Sequence, residues 1–219
     1  MTHPTSSHNP FSNFVVFTVE TEDITTRTGK TSGKPYSEGW AHHVQVDEAD
    51  LIFKVLAFNG VEIPSQQTET LLGTLGYEEK EGERTPLIFV DKTEKFDPQR
   101  GPRDYVKLTV RVFEQPELKY SQNGRAWCVV KAFLSMGKDA QGNYKPSFWL
   151  RLKAFAKETD GGEFDESLPL ALNNLGKGDL VTVGGSLMVS YYEDRAYYEV
   201  IARQLEAFAP EVAEDETPF

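Results

Sequence analysis

Residues 148–155 read FWLRLKAF. Taken with the two-residue period of a strand, Phe148, Leu150, Leu152 and Ala154 form one face, wholly apolar. Trp149, Arg151, Lys153 and Phe155 form the other, which combines two large rings with two cations. Residues 126–134, AWCVVKAFL, repeat the arrangement. Trp127, Val129, Lys131 and Phe133 alternate with a core side of Cys128, Val130 and Ala132. Rings on a sheet surface can stack on unpaired nucleobases, each stack worth about 1–3 kcal/mol. Lysine and arginine among them can neutralise phosphates, a contribution that salt weakens. The two segments therefore suit single-stranded nucleic acid, with Trp127, Phe133, Trp149 and Phe155 as stacking positions and Lys131, Arg151 and Lys153 as phosphate contacts. The competing reading is a half-exposed sheet whose lysines only shield an edge. Two tyrosine pairs, Tyr191-Tyr192 and Tyr197-Tyr198, flank the last hairpin. Neighbouring strand residues point to opposite sides, so one of each pair is expected in the core.

Other chemistry is poorly provided for. His42 and His43 are adjacent on an expected strand and face opposite ways, so they cannot readily share a metal ion. His3 and His8 fall in a polar leader. The sequence shows no convincing nucleophile–base set and no phosphate-binding glycine loop. A non-catalytic protein without metal or cofactor is expected. Cys128 is the only cysteine; with no disulfide framework the chain suits a reducing compartment. Its place in the apolar series marks a small buried residue, not a nucleophile.

The elements that must position these residues follow from pattern. The chain has 219 residues, 39% hydrophobic and 26% charged, as in a globular protein. No apolar run approaches a membrane span, and MTHPTSSHNP lacks the cationic head and apolar run of a secretory signal. Residues 105–112, 126–134, 148–155, 180–192 and 196–205 read as five strands. Asn123-Gly124 signals a hairpin between the first two. A helix lies between the third and fourth, with Leu168, Leu172 and Leu175 on one face, Asp165 or Ser167 to cap it and Gly176 to end it. Gly184-Gly185 marks a bulge or sharp bend in the fourth strand. Three strands, a helix and two strands is the order of an OB-fold, a five-stranded Greek-key barrel.

The expected fold class is all-β with short helices, and the OB-fold occupies 104–209. Residues 1–12 read as a disordered leader, 13–97 as an N-terminal β-rich domain, 98–103 as a linker and 210–219 as an acidic tail. In the N-terminal half, strands are expected at 14–20, 40–46, 51–58 and 86–96, with a short helix at 65–76. LIFKVLAF (51–58) echoes WLRLKAF (149–155) as a weak internal repeat. This half is either a second, diverged OB-fold or an unrelated α+β extension.

The net charge of −11 argues against a nucleic-acid partner only if evenly spread, because binding responds to the local field. Residues 1–103 hold 10 Lys/Arg and 16 Asp/Glu, whereas 104–209 hold 13 and 14. The last ten residues hold four acids and no cation. They end in Pro218-Phe219 behind Asp215 and Glu216, and a terminal carboxylate beside a ring is a handle for peptide recognition.

From about residue 104 onward the chain resembles the bacterial single-stranded DNA-binding protein family. PELKYSQNG (116–124) looks like that family's first turn and FWLRLKAFAK (148–157) like its base-stacking third strand. LGKGDLVTVGGSL (175–187) looks like its helix end and fourth strand, and EDETPF like its acidic tip. The resemblance implies a cytoplasmic protein, of bacterial, phage or plasmid origin, that coats single-stranded DNA. The tip would recruit replication, recombination and repair proteins through Asp215, Glu216, Pro218 and Phe219. Trp149 and Phe155 carry over as stacking positions, and Tyr192 as a further aromatic on the fourth-strand hairpin. A homo-oligomer is implied, a dimer or a tetramer; two OB-folds per chain would let a dimer present four barrels. The chain departs from the family at Ser135-Met136, where a Trp is usual, and at Leu150, where a His is usual. Its fourth-strand hairpin is less basic, and it has almost no linker before the tip. An adaptor that has lost DNA binding is the alternative.

Overall fold

The computed structural model describes residues 12–44, 51–80, 83–139, 141–193 and 195–208. The expected leader, apart from Ser12, and the acidic tail lie outside the described residues. The strands are β1 (Asn13–Thr28), β2 (Pro35–His43), β3 (Ile52–Ala57), β4 (Thr68–Lys80), β5 (Glu83–Lys95), β6 (Asp104–Val112), β7 (Glu117–Tyr120), β8 (Ala126–Leu134) and β9 (Phe148–Phe155). The short strands β10 (Lys157–Glu158) and β11 (Phe164–Asp165) precede the helix α1 (Ser167–Asn173), and β12 (Leu180–Tyr192) and β13 (Arg195–Ala207) follow it.

Alternation builds the C-terminal barrel. The inward residues of β8 and β9, Cys128, Val130, Ala132, Leu150, Leu152 and Ala154, are all buried. β6 pairs antiparallel with β8 and with β12, β8 with β9, and β12 with β13. A parallel pairing of β9 with β13 closes the ring. This is the expected five-stranded OB-fold, and β7 extends it along β8. The hairpin between β7 and β8 turns at Gly124, whose φ of 78° is costly for other residues. Helix α1 caps the barrel with the buried side chains of Pro169 and Leu172. Its cap is Glu166, whose side chain makes no capping hydrogen bond, while the Asp165 carboxylate accepts the Ser167 N–H at 2.9 Å. Gly176 donates its N–H to Asp179 Oδ2 at 2.7 Å.

The N-terminal half is a second barrel with the same connectivity. β1 pairs with β2 and β4, β2 with β3, and β4 with β5, all antiparallel. β3 and β5 close it in parallel. The α+β alternative is therefore set aside in favour of a diverged OB-fold. The expected helix at 65–76 is instead the start of β4. Leu71 and Leu75 are fully buried there, and flanking threonines favour strand. Hydrogen bonds from β1 and β5 on either side override a short apolar run whose period was ambiguous.

Detailed symmetry confirms the duplication. β4 bulges between Leu72 and Gly73, as β12 does between Gly184 and Gly185. A Cβ on Gly73 would strike the Phe89 carbonyl, and one on Gly185 the Ile201 carbonyl. Each barrel also buries a hydroxyl pair, Thr18–Thr70 at 3.2 Å and Thr109–Thr182 at 2.7 Å.

The two barrels join through their first strands, β1 running antiparallel to β6. Ser12 donates its N–H to Thr109 Oγ1 and Arg103 donates its own to Thr18 Oγ1, both at 2.8 Å. Tyr77 of the first barrel stacks on Phe148 of the second and donates its hydroxyl to the Pro146 carbonyl at 2.7 Å. One apolar core runs through both. Among the described residues no helix is long and apolar enough to cross a membrane.

Candidate nucleic-acid interface

The outward faces of β8 and β9 lie side by side in register. Trp127 is opposite Phe155, Val129 opposite Lys153, Lys131 opposite Arg151 and Phe133 opposite Trp149. Rings thus occupy both ends of the face and cations its middle. Trp149 and Phe155 are six steps apart along β9, about 20 Å of strand.

At one end Trp127 and Phe155 stack, with centroids 6.3 Å apart and planes 19° from parallel. Lys119 lies 5.3 Å from the Trp127 centroid, and the Arg125 guanidinium 5.6 Å from that of Phe155. Arg125 is fixed by its Nε donating to the Ala156 carbonyl at 2.8 Å. At the other end Trp149, 37% exposed, meets Phe133 at 5.3 Å and Phe113 edge-on at 4.9 Å. Lys131 Nζ sits 4.8 Å from the Trp149 centroid and 5.3 Å from that of Phe113. Lys177 reaches Phe113 from the loop after α1, at 5.7 Å. Beside Trp149 a cleft of about 470 Å³ is lined by Lys131, Arg151 and Tyr197 among others.

The middle of the face differs from expectation. Arg151 and Lys153 do point outward, but both reach Glu199, which the parallel pairing sets opposite Arg151. Lys153 Nζ donates to Glu199 Oε2 at 2.6 Å, and Arg151 lies 3.6 Å from Oε1. The Arg151 guanidinium also covers the Tyr197 ring at 4.7 Å.

The tyrosine expectation fails for one pair. Tyr191 and Tyr192 are 61% and 65% exposed, because the tip of the β12–β13 hairpin extends past the closed barrel and has no core beneath it. Among the described residues no ring contact ties Tyr192 to the β8–β9 face. Tyr198 does turn inward: it packs on Phe148 at 5.0 Å, and burial pushes its hydroxyl up to about 12. Phe113, Lys119, Arg125 and Lys177 were missed in the sequence, since they come from segments without a period-two pattern. Cys128 is fully buried, and burial pushes its thiol up to about 11.

The first barrel repeats the face in reduced form. Tyr36 and Phe58 stack at 5.7 Å where Trp127 and Phe155 stand in the second. Lys54 pairs with Leu87 as Arg151 pairs with Glu199. Its Nζ is held by both oxygens of Glu78 at 2.7 and 2.8 Å, and Arg27 is held by Glu38 at 2.8 Å. Trp40 stands exposed opposite Lys54. His42 and His43 point apart, as their adjacency required. His42 faces Glu22 at 3.0 Å, whereas His43 is buried edge-on to Phe17.

No protein-family model matches the chain, and no curated protein does. Solved structures match over nearly its whole length. Against the wild-type single-stranded DNA-binding protein from Thermus aquaticus the TM-score is 0.58 at 17% identity, covering 95% of this chain and 99% of that one. A deletion mutant of the Thermus protein gives 0.56 at 18%, covering 92% and 98%. The structural neighbours are single-stranded DNA-binding proteins. At this identity the likeness establishes the fold, two barrels included.

Proposed function

We propose that this chain binds single-stranded DNA, largely without regard to sequence, along the β8–β9 face of its second barrel. The observation that carries the reading is the cross-strand array of two aromatic clusters with cations between and beside them. It provides ring faces for any base and donors for the backbone, a combination that tolerates any sequence. The Thermus neighbours support it by name. Tyr36, Trp40 and Phe58 give the first barrel a weaker, less basic track for the same strand. Titration of the intrinsic tryptophan fluorescence with oligo-dT tests the reading. Quenching with an affinity that falls steeply with salt is expected, and duplex DNA should compete poorly. A spectrum unmoved by oligo-dT would favour the adaptor reading instead.

The roles in replication, recombination and repair extend this proposal to residues 210–219. Asp215, Glu216, Pro218 and Phe219 would capture partner proteins. Deleting Pro218-Phe219 should abolish partner capture in a pull-down while leaving oligo-dT affinity intact or stronger; unchanged capture would refute the role. A dimer, with four barrels from two chains, is the proposed assembly, and light scattering measures it.

A further inference from the structure

We propose that Glu199 is a built-in competitor for the DNA backbone, a positioning residue that holds Lys153 in the sheet and limits the affinity of the β8–β9 face. The inference rests on the proposed single-stranded DNA binding and deepens it. Glu199 stands on the outward side of β13, between Tyr198 and Val200, which both turn inward. Its side chain is nevertheless only 8% exposed. Lys153 and Arg151 cover it, and the cations are unequally committed. Lys153 is 25% exposed and makes a short contact of 2.6 Å. Arg151 is 46% exposed, lies at 3.6 Å, and its guanidinium rests on Tyr197.

A phosphate approaching this row therefore meets one net positive charge in place of two. Arg151 can turn toward it without breaking a close hydrogen bond. Lys153 cannot, because leaving Glu199 strands a carboxylate from which water is largely excluded. Carboxylate and phosphate oxygens are chemically similar acceptors for an ammonium group, so Glu199 occupies Lys153 as a phosphate would. The first barrel offers an independent parallel: its third-strand cation, Lys54, is likewise held by a carboxylate, Glu78. Strand three thus keeps its cations in line on both barrels without presenting their full charge to solvent. Such a face grips a polyanion less tightly and releases it more easily.

The test is oligo-dT titration of the full chain over a range of salt concentrations, for the parent and Glu199→Gln. Glutamine keeps the shape and removes the charge. Freed Lys153 adds about one phosphate contact, so the slope of log K against log[salt] should steepen by about 0.7, and affinity at 0.1 M salt should rise about fivefold. An unchanged or shallower slope with a folded variant overturns the proposal. Adding Lys153→Gln to Glu199→Gln gives a second reading, since the two substitutions together remove an ion pair of no net charge and strand neither partner. The double variant should lose the gain and return the slope to about the parent's, and a double variant that keeps the steepened slope would overturn the proposal. If the parent itself ignores oligo-dT, the functional reading fails, an outcome distinct from a parent that binds and variants that do not differ.

Discussion

Val15 and Val106 are direct cross-strand partners in the ladder that joins the barrels, and each is the other's counterpart. Val15 faces the bulge glycine Gly73 within its own barrel, and Val106 faces Gly185. A pseudo-twofold axis therefore passes by this pair. The chain is built like a symmetric dimer of OB-folds joined in one polypeptide.

The stacked pair Trp127–Phe155 should dominate binding. Replacing either ring by alanine is expected to weaken oligo-dT affinity about 5- to 150-fold, the worth of one stacked base. Trp149→Ala should fall in the same range, since its ring anchors the other cluster. Tyr192→Ala, on the projecting hairpin, should change affinity less than any of these. Fluorescence or anisotropy titration checks the order, and equal losses at Tyr192 and Trp127 would show the face misassigned.

The first barrel's contribution is separable. Phe58→Ala removes its stacked pair, yet that face holds both Arg27 and Lys54 in ion pairs with carboxylates. A loss of less than about fivefold is expected, with a shorter occluded length of DNA per chain. Stoichiometric titration on poly-dT measures that length, and an unaltered length with unaltered affinity would exclude this barrel from the DNA path.

Acid should loosen the first barrel through His43. Both its ring nitrogens are buried without hydrogen-bond partners, and burial pushes the imidazole down to about 4 from its ordinary 6.5, against an opposing pull from the nearby Arg103 backbone. The unfolded chain takes up a proton between those values that the folded chain refuses. Stability is thus fully present above pH 6.5 and declines as pH falls toward 4, by about 3 kcal/mol in all. Denaturant melts at pH 7 and pH 4.5 should show a smaller difference for His43→Leu than for the parent. Identical pH sensitivity would rule His43 out as the cause.

The bulge glycines are required by space. A methyl group at Gly73 or Gly185 meets a carbonyl on the neighbouring strand, which side-chain rotation cannot relieve. Gly185→Ala should cost about 1–3 kcal/mol or more of stability. Gly101→Ala, where nothing crowds the added carbon, suffers only its φ of 71°. Equal melting temperatures for Gly185→Ala and the parent would contradict the strand geometry.

The β8–β9 face was legible because alternation is a local signal: the side of Trp149 follows once the side of Leu150 is known. The second barrel followed from element order and its Asn-Gly and Gly-Gly punctuation. The first barrel was harder. Its third strand, LIFKVLAF, betrayed the repeat, but β4 read as a helix, since leucines at 71, 72 and 75 fit either period. Its long hairpin strands get their hydrogen bonds from residues distant in sequence. Glu199 was invisible for a related reason. Its meeting with Lys153 depends on the parallel registration of β13 on β9, and no count along the chain shows which residues a parallel pairing will oppose. Tyr191 and Tyr192 misled because alternation says which side a residue faces, not whether anything lies there.

The ladder between β1 and β6 makes dissection of this molecule hazardous. Severing the chain between its halves would strip Asp104 to Leu108 of their outer neighbours and leave a row of bare amide donors and carbonyl acceptors. The freed edge matches β1 in geometry, so an isolated C-terminal piece would find its natural substitute in another copy of itself. A fragment that self-associates would then report the lost half, and not the habit of the intact protein.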